Sequence, residues 1–285
     1  MRISPIIEVE ELIHIYKNPN VLIFDVRNGI DAKTNYTQEH LEGAIFIDLN
    51  TQLAEIKDNF ANGGRHPLPQ LSHFSMTLRD VGITKDSHLI LYDDKNGSNA
   101  AARFWWMLKS IGHLNVQVLN GGIQHAIRKK FPTSSEPVDV KPAIEPYPIK
   151  QWNLPTIEMN TLENLLHNSK YLIVDVRDKE RYDGKTETMD VIAGHIPSAV
   201  NIPFTENLDS NGLFLKPDEL RQKYELQFGT IYPKNIIIHC GSGVTACHTL
   251  LALDYAEMEI PRLYVGSWSE WSRNSKMVET IADSK

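Results

Sequence analysis

Cysteine is nearly absent: only Cys240 and Cys247 occur in a chain of 285 residues. So few thiols exclude a disulfide framework and suit a reducing compartment. Long apolar runs are missing as well, and none approaches the length needed to span a bilayer. The opening residues, MRISPIIEVEEL, turn acidic at Glu8, Glu10 and Glu11 and lack the apolar core and cleavage site of a secretory signal. A cytoplasmic protein without membrane attachment is therefore expected. Positive charge is in deficit: 36 acidic residues against 29 basic ones give a net charge of −7, with no basic stripe interleaved with aromatics. That balance excludes nucleic acid as a general partner, but leaves room for a small anion held in one local electropositive pocket. What is present, 41% hydrophobic and 23% charged, suits a globular protein of one large domain or two of ordinary size.

The chain repeats itself. VLIFDVRN at 21–28 returns as YLIVDVRD at 171–178, and HLEGAIFI from His40 returns as HIPSAVNI from His195. LILYDD at 89–94 is matched by IIIHCG at 236–241, and VLNGGIQHA at 118–126 by LYVGSWSEW at 263–271. Matches in one order, at a spacing that drifts only slightly, mean two copies of one domain with different loop lengths. Between them, Pro132, Pro137, Pro142, Pro146, Pro148 and Pro155 predict a stiff, extended connector rather than a packed element. The expected division is 1–131, a proline-rich linker at 132–155, and 156–285.

Within the second copy, helical patterns near 161–168, 217–227, 245–257 and 268 alternate with apolar runs at 171–175, 199–202, 235–239 and 262–265. Such alternation predicts an α/β fold whose parallel sheet carries helices on both faces, with ligands at the carboxyl ends of the strands. Cys240 stands at one such end, where IIIH stops and Gly241, Ser242 and Gly243 let the backbone turn tightly before a helix. Loop amides and a helix N-terminus around a thiol favour its thiolate. Cys247 falls in the apolar stripe with Val244 and Leu251 and reads as a packing residue.

Two other chemistries were weighed for this stretch. His239, Cys240, Cys247 and His248 fit no common zinc spacing. A phosphatase loop needs an arginine six residues beyond the cysteine to hold the transferred phosphoryl group, and Ala246 is there instead. A neutral loop rich in amides suits a soft nucleophile that accepts one sulfur atom and holds it as a persulfide. In the first copy Asp93 replaces Cys240, so that domain is expected to lack the nucleophile.

These residues, with CGSGVTAC, GHIPSAVNIPF, RFWWMLKSIGH, LNGG and GSWSEW in order along nearly the whole chain, resemble the tandem-domain rhodaneses. That family comprises thiosulfate and 3-mercaptopyruvate sulfurtransferases. The resemblance implies two tandem rhodanese-like domains, a non-catalytic first and a catalytic second. It implies Cys240 as nucleophile, a loop of Gly241, Ser242, Gly243, Val244 and Thr245 that stabilises the persulfide, and Arg181 as a grip on an anionic donor. Ser242 and His66 match two members of a Ser-His-Asp relay associated with the mercaptopyruvate enzymes, while Asn50 stands at the third place. The neutral loop points to 3-mercaptopyruvate; the lack of a second arginine between Arg181 and Gly194 points away from it, so the donor stays open. Asp25, Asp175, His40 and His195 occur in both copies and read as structural.

The expected reaction is a two-step transfer from a small anionic sulfur donor through Cys240 to cyanide or a thiol such as thioredoxin, without metal or organic cofactor. The alternative is a non-catalytic persulfide carrier or redox sensor, loaded at Cys240 by a partner.

Overall fold

Runs of β-branched and aromatic residues become parallel strands twice along the chain. The computed structural model describes residues 3–281, which fall into two compact units. The first unit holds residues 3–55, Pro69–Asn153 and Ser210–Phe214. The second holds Ile56–Leu68, Leu154–Asp209 and residues 215–281. Each unit thus includes a short segment of chain that sequence order would give to the other.

In the first unit the order is β1 (Ile6–Ile7), α1 (Val9–Ile15), β2 (Val21–Asp25), α2 (Ala32–Gln38), β3 (His40–Leu41), β4 (Ala44–Phe46) and α3 (Leu49–Gln52). There follow α4 (Leu71–Asp80), β5 (His88–Tyr92), α5 (Ala100–Ser110), β6 (Val116–Leu119), α6 (Gly122–Arg128) and β7 (Thr133–Ser134). The five-stranded sheet runs β1-β6-β5-β2-β4, all parallel.

The second unit contains α7 (Met159–Glu163), β8 (Leu172–Asp175), α8 (Lys179–Tyr182), β9 (Val200–Asn201) and α9 (Pro217–Phe228). It closes with β10 (Ile236–His239), α10 (Ala246–Tyr255), β11 (Arg262–Leu263) and α11 (Ser267–Trp271). Its parallel sheet runs β11-β10-β8-β9, the same order as β6-β5-β2-β4. Even β1 has a counterpart, a single parallel bridge between Thr156 and Leu263 where Ile6 pairs with Val118 in the first unit. The duplication is therefore one of topology as well as sequence.

The central strands are buried on both faces: every residue of β6 and β10 is enclosed, and all of β5 after His88. Both faces of such a strand must be apolar, which is why IIIH and LILY read as continuous runs rather than alternations. Among the described residues no helix is long and apolar enough to cross a membrane.

Two expectations differ from what forms. The helix expected over 161–168 ends at Glu163, and His167 takes a φ of +58°, which stops helical propagation. The proline-rich stretch after β7 forms no further regular element, yet it is packed along the first unit rather than standing off as a spacer. Ser75 Oγ donates to the Tyr147 carbonyl at 2.6 Å, the Ala143 amide donates to the Arg79 carbonyl at 2.8 Å, and Trp152 stacks on Trp106 and lies tilted against Phe74. Proline removes amide donors and so forbids a ladder, but leaves carbonyls and neighbouring rings free to pack.

Candidate active site

Strand β10 delivers Cys240 at its carboxyl end, buried, with 2% exposed. The turn that follows is fastened by α11. Ser267 Oγ accepts the Cys240 amide at 3.2 Å, while the carbonyls of Cys240 and Gly241 accept the amides of Trp268 and Ser269 at 3.0 and 2.8 Å. These bonds hold the loop from outside and leave four of its own amides unused. Among the described residues, the amides of Gly241, Ser242, Val244 and Thr245 donate to no group. A run of unsatisfied N–H groups between a strand end and a helix N-terminus is an anion cradle.

The first unit shows what this cradle does. Asp93 follows β5 at the place Cys240 occupies after β10, and it is fully buried. Its Oδ1 accepts the amides of Lys95 and Gly97, both at 2.8 Å, and its Oδ2 those of Asn99 and Ala101 at 3.1 and 3.2 Å. Burial pushes the Asp93 carboxyl up to about 6, and the four amide bonds oppose that rise. The first loop is filled by its own anion. In the second, Cys240 stands at the corresponding position after its strand.

Three further groups meet the loop within the second unit. Helix α8, capped by Asp178, whose Oδ1 accepts the Arg181 amide at 3.0 Å, presents Arg181. The guanidinium joins neither Asp178 nor Asp183: its Nη2 donates to both oxygens of Glu187 at 2.9 Å and lies 3.5 Å from Asp190 Oδ2. Segment Ile56–Leu68 brings Arg65 and His66. It is docked by the Gly63 amide on Glu270 Oε1 at 2.9 Å and the Arg65 amide on Ser269 Oγ at 3.0 Å. His66 Nδ1 meets Ser242 Oγ at 2.8 Å, so the two residues 176 positions apart are neighbours. Arg65 Nη1 and Arg273 Nη1 both pair with Asp190 Oδ1, the second at 2.6 Å.

Gly241 is where these groups converge. A Cβ built there would lie 3.1 Å from Arg65 Nη2 and 3.6 Å from Arg181 Nη1, so two guanidiniums stand over the first residue of the loop. The resemblance pointed to Arg181 and His66 and not to Arg65 or Arg273. The cation beside His66 was visible in GGRHPLP; nothing local ties it to a loop 175 residues further on.

The residues shared by both copies make shared contacts. Asp25 pairs with Arg27 and Asp175 with Arg177, each through Nη2 and Oδ2 at 2.6 Å. His40 and His195 each place Nδ1 2.8 Å from a carbonyl, that of Tyr36 or Tyr182, and stack on the same tyrosine. These contacts belong to the fold. In the second unit Arg177 also lies over the Trp268 ring, 4.8 Å from its centroid. Burial works against the Arg177 charge, but Asp175, then Glu187 and Cys240, hold its pKa above the ordinary value. Cys247 is enclosed in α10 with Sγ 3.4 Å from the Gly243 carbonyl.

The rhodanese-like domain family matches the chain twice, over residues 8–128 and 158–274. The probable 3-mercaptopyruvate sulfurtransferase of Pseudomonas aeruginosa is 34% identical over 278 residues, covering 95% of this chain and 96% of that protein. The thiosulfate sulfurtransferase of Bos taurus is 36% identical over 245 residues, covering 85% of this chain and 80% of that one. Among solved structures, the 3-mercaptopyruvate sulfurtransferase from Leishmania major matches with a TM-score of 0.82 at 27% identity, over 94% of this chain and 74% of that one.

Proposed function

The chain belongs to the rhodanese-like family and is a sulfurtransferase, and from that premise we propose that Cys240 carries the sulfur, gripped by the loop 241–245 and supplied from a donor held by Arg181. The observation that supports this most is the pair of loops: the first closes four amides on the Asp93 carboxylate, and the second, which follows a thiol, leaves the amides of Gly241, Ser242, Val244 and Thr245 without a partner among the described residues.

In the first half-reaction the Cys240 thiolate attacks the transferable sulfur of the donor, the outer sulfur of thiosulfate or the thiol sulfur of 3-mercaptopyruvate. A new S–S bond forms, the donor's bond to that sulfur breaks, and the electron pair leaves with sulfite or, after a proton is taken up, pyruvate. The persulfide's negative charge then rests on the outer sulfur, against the amides of Gly241 to Thr245. The Ser242 hydroxyl, fixed by His66, adds one oriented polar group at the donor's side of the loop. In the second half-reaction an acceptor, cyanide or a thiol such as reduced thioredoxin, attacks the outer sulfur and restores the thiolate. Both cysteines carry free thiols, which supports a reducing, cytoplasmic setting for this chemistry.

The test is intact-mass detection of one added sulfur on the protein after incubation with thiosulfate or 3-mercaptopyruvate, followed by thiocyanate formation on adding cyanide. Cys240→Ser is expected to abolish both. Sulfur loading or turnover that survives the substitution would remove Cys240 from this role.

A further inference from the structure

The segment Glu187–Ile192 inverts the usual order of a surface loop. Met189, Val191 and Ile192 are exposed at 57%, 63% and 44%, while the Asp190 and Glu187 side chains are 0% and 4% exposed. Apolar groups face water and carboxylates face inward, which requires a strong partner inside. Glu187 Oε1 accepts the amides of Met189 and Asp190 at 2.9 and 3.1 Å, so the loop is wound about its own acid. Asp190 Oδ1 takes Arg65 and Arg273, and its Oδ2 accepts no hydrogen bond yet lies 3.5 Å from Arg181 Nη2.

Three guanidiniums and two carboxylates are thus in direct contact, two of the guanidiniums, Arg65 and Arg181, beside Gly241, leaving one positive charge in excess. The Asp175–Arg177 pair, which recurs as Asp25–Arg27, cancels within itself. We propose that Asp190 is a specificity-determining residue that sets the charge of the donor: by neutralising one arginine it tunes the site to a donor with a single negative charge, a thiol-bearing monocarboxylate, over a dianion. Asp190 acts through Arg65, Arg181 and Arg273 and need not touch the donor. The inference rests on the reading of Cys240 and Arg181 given above, and gives that site its substrate class.

The experiment measures kcat/KM for thiosulfate and 3-mercaptopyruvate, with cyanide as common acceptor, in the wild-type chain, Asp190→Asn and Arg65→Gln. Removing one negative charge favours a dianion about twice as strongly as a monoanion. The ratio of thiosulfate to 3-mercaptopyruvate should therefore rise roughly tenfold in Asp190→Asn, the scale of one unit charge a few ångströms away at a protein site. It should fall by a similar factor in Arg65→Gln, which tests the inference even if Asp190→Asn does not fold. An equal loss with both donors, leaving the ratio unchanged, is what a merely structural role gives and would overturn the inference alone. Failure of both donors to load wild-type Cys240 would instead overturn the reading of the site itself.

Discussion

Gly241 and Gly243 serve the loop in different ways. At Gly241 the backbone is ordinary, and the missing side chain leaves space for Arg65 and Arg181 to approach. At Gly243 the backbone itself is at issue: φ is +71°, and a Cβ would fall 2.3 Å from the Val265 carbonyl oxygen. Neither the dihedral nor the contact admits a methyl group, and the contacting atom is backbone that cannot swing away. Gly243→Ala is expected to cost at least about 2 kcal/mol in urea unfolding and to slow sulfur loading of Cys240. A variant with wild-type stability and wild-type loading would mean the loop tolerates a different path. At the same scale, Cys240 and Cys247 show how position divides two like residues: one ends a strand at the cradle, the other is enclosed in α10.

Strand, loop and helix form the unit of function, and they occur twice. After β5 the loop closes on Asp93, whose carboxyl is pushed up to about 6 by burial. The native state therefore keeps the Asp93 proton to a higher pH than the unfolded chain does. Stability from this group is greatest below the ordinary carboxyl value and falls as the pH rises towards 6, by about 3 kcal/mol at most. Asp93→Asn should remove that slope. It should also weaken the first unit, because an amide NH2 group would face two of the four backbone donors. Urea unfolding of wild type and variant between pH 4 and 7 checks both points: the difference between the two should vary with pH across this window, and a constant difference would show that Asp93 does not titrate there. The sequence showed this element clearly, since LILYDD and IIIHCG align by eye. It did not show that the aspartate fills the cradle, because a side chain's reach to four amides depends on the path of the loop. Nor did it show α8, which is too short to display a helical period.

For the whole molecule, the division of the chain matters most. Segment Ile56–Leu68 lies in the second unit although it is read early, and it supplies Arg65, His66 and an Ala61 carbonyl that accepts Asn274 Nδ2 at 2.9 Å. A fragment cut by sequence order, starting at residue 156, loses all three. It is expected to melt below the second unit of the intact chain and to show no turnover with either donor. Thermal unfolding and the thiocyanate assay measure this, and full turnover by the fragment would make Arg65 and His66 dispensable. By itself the sequence determined the duplication, the alternation of strands and helices, and the place of Cys240 at a strand end. Those features come from periodicity and turn chemistry that act over some ten residues, and they are written locally. Only the tertiary structure decided that Arg65 and Arg273 join Arg181 around Asp190, and that His66 reaches Ser242. These partners are held by loops docked through backbone amides and carbonyls, which every residue carries and no sequence pattern marks.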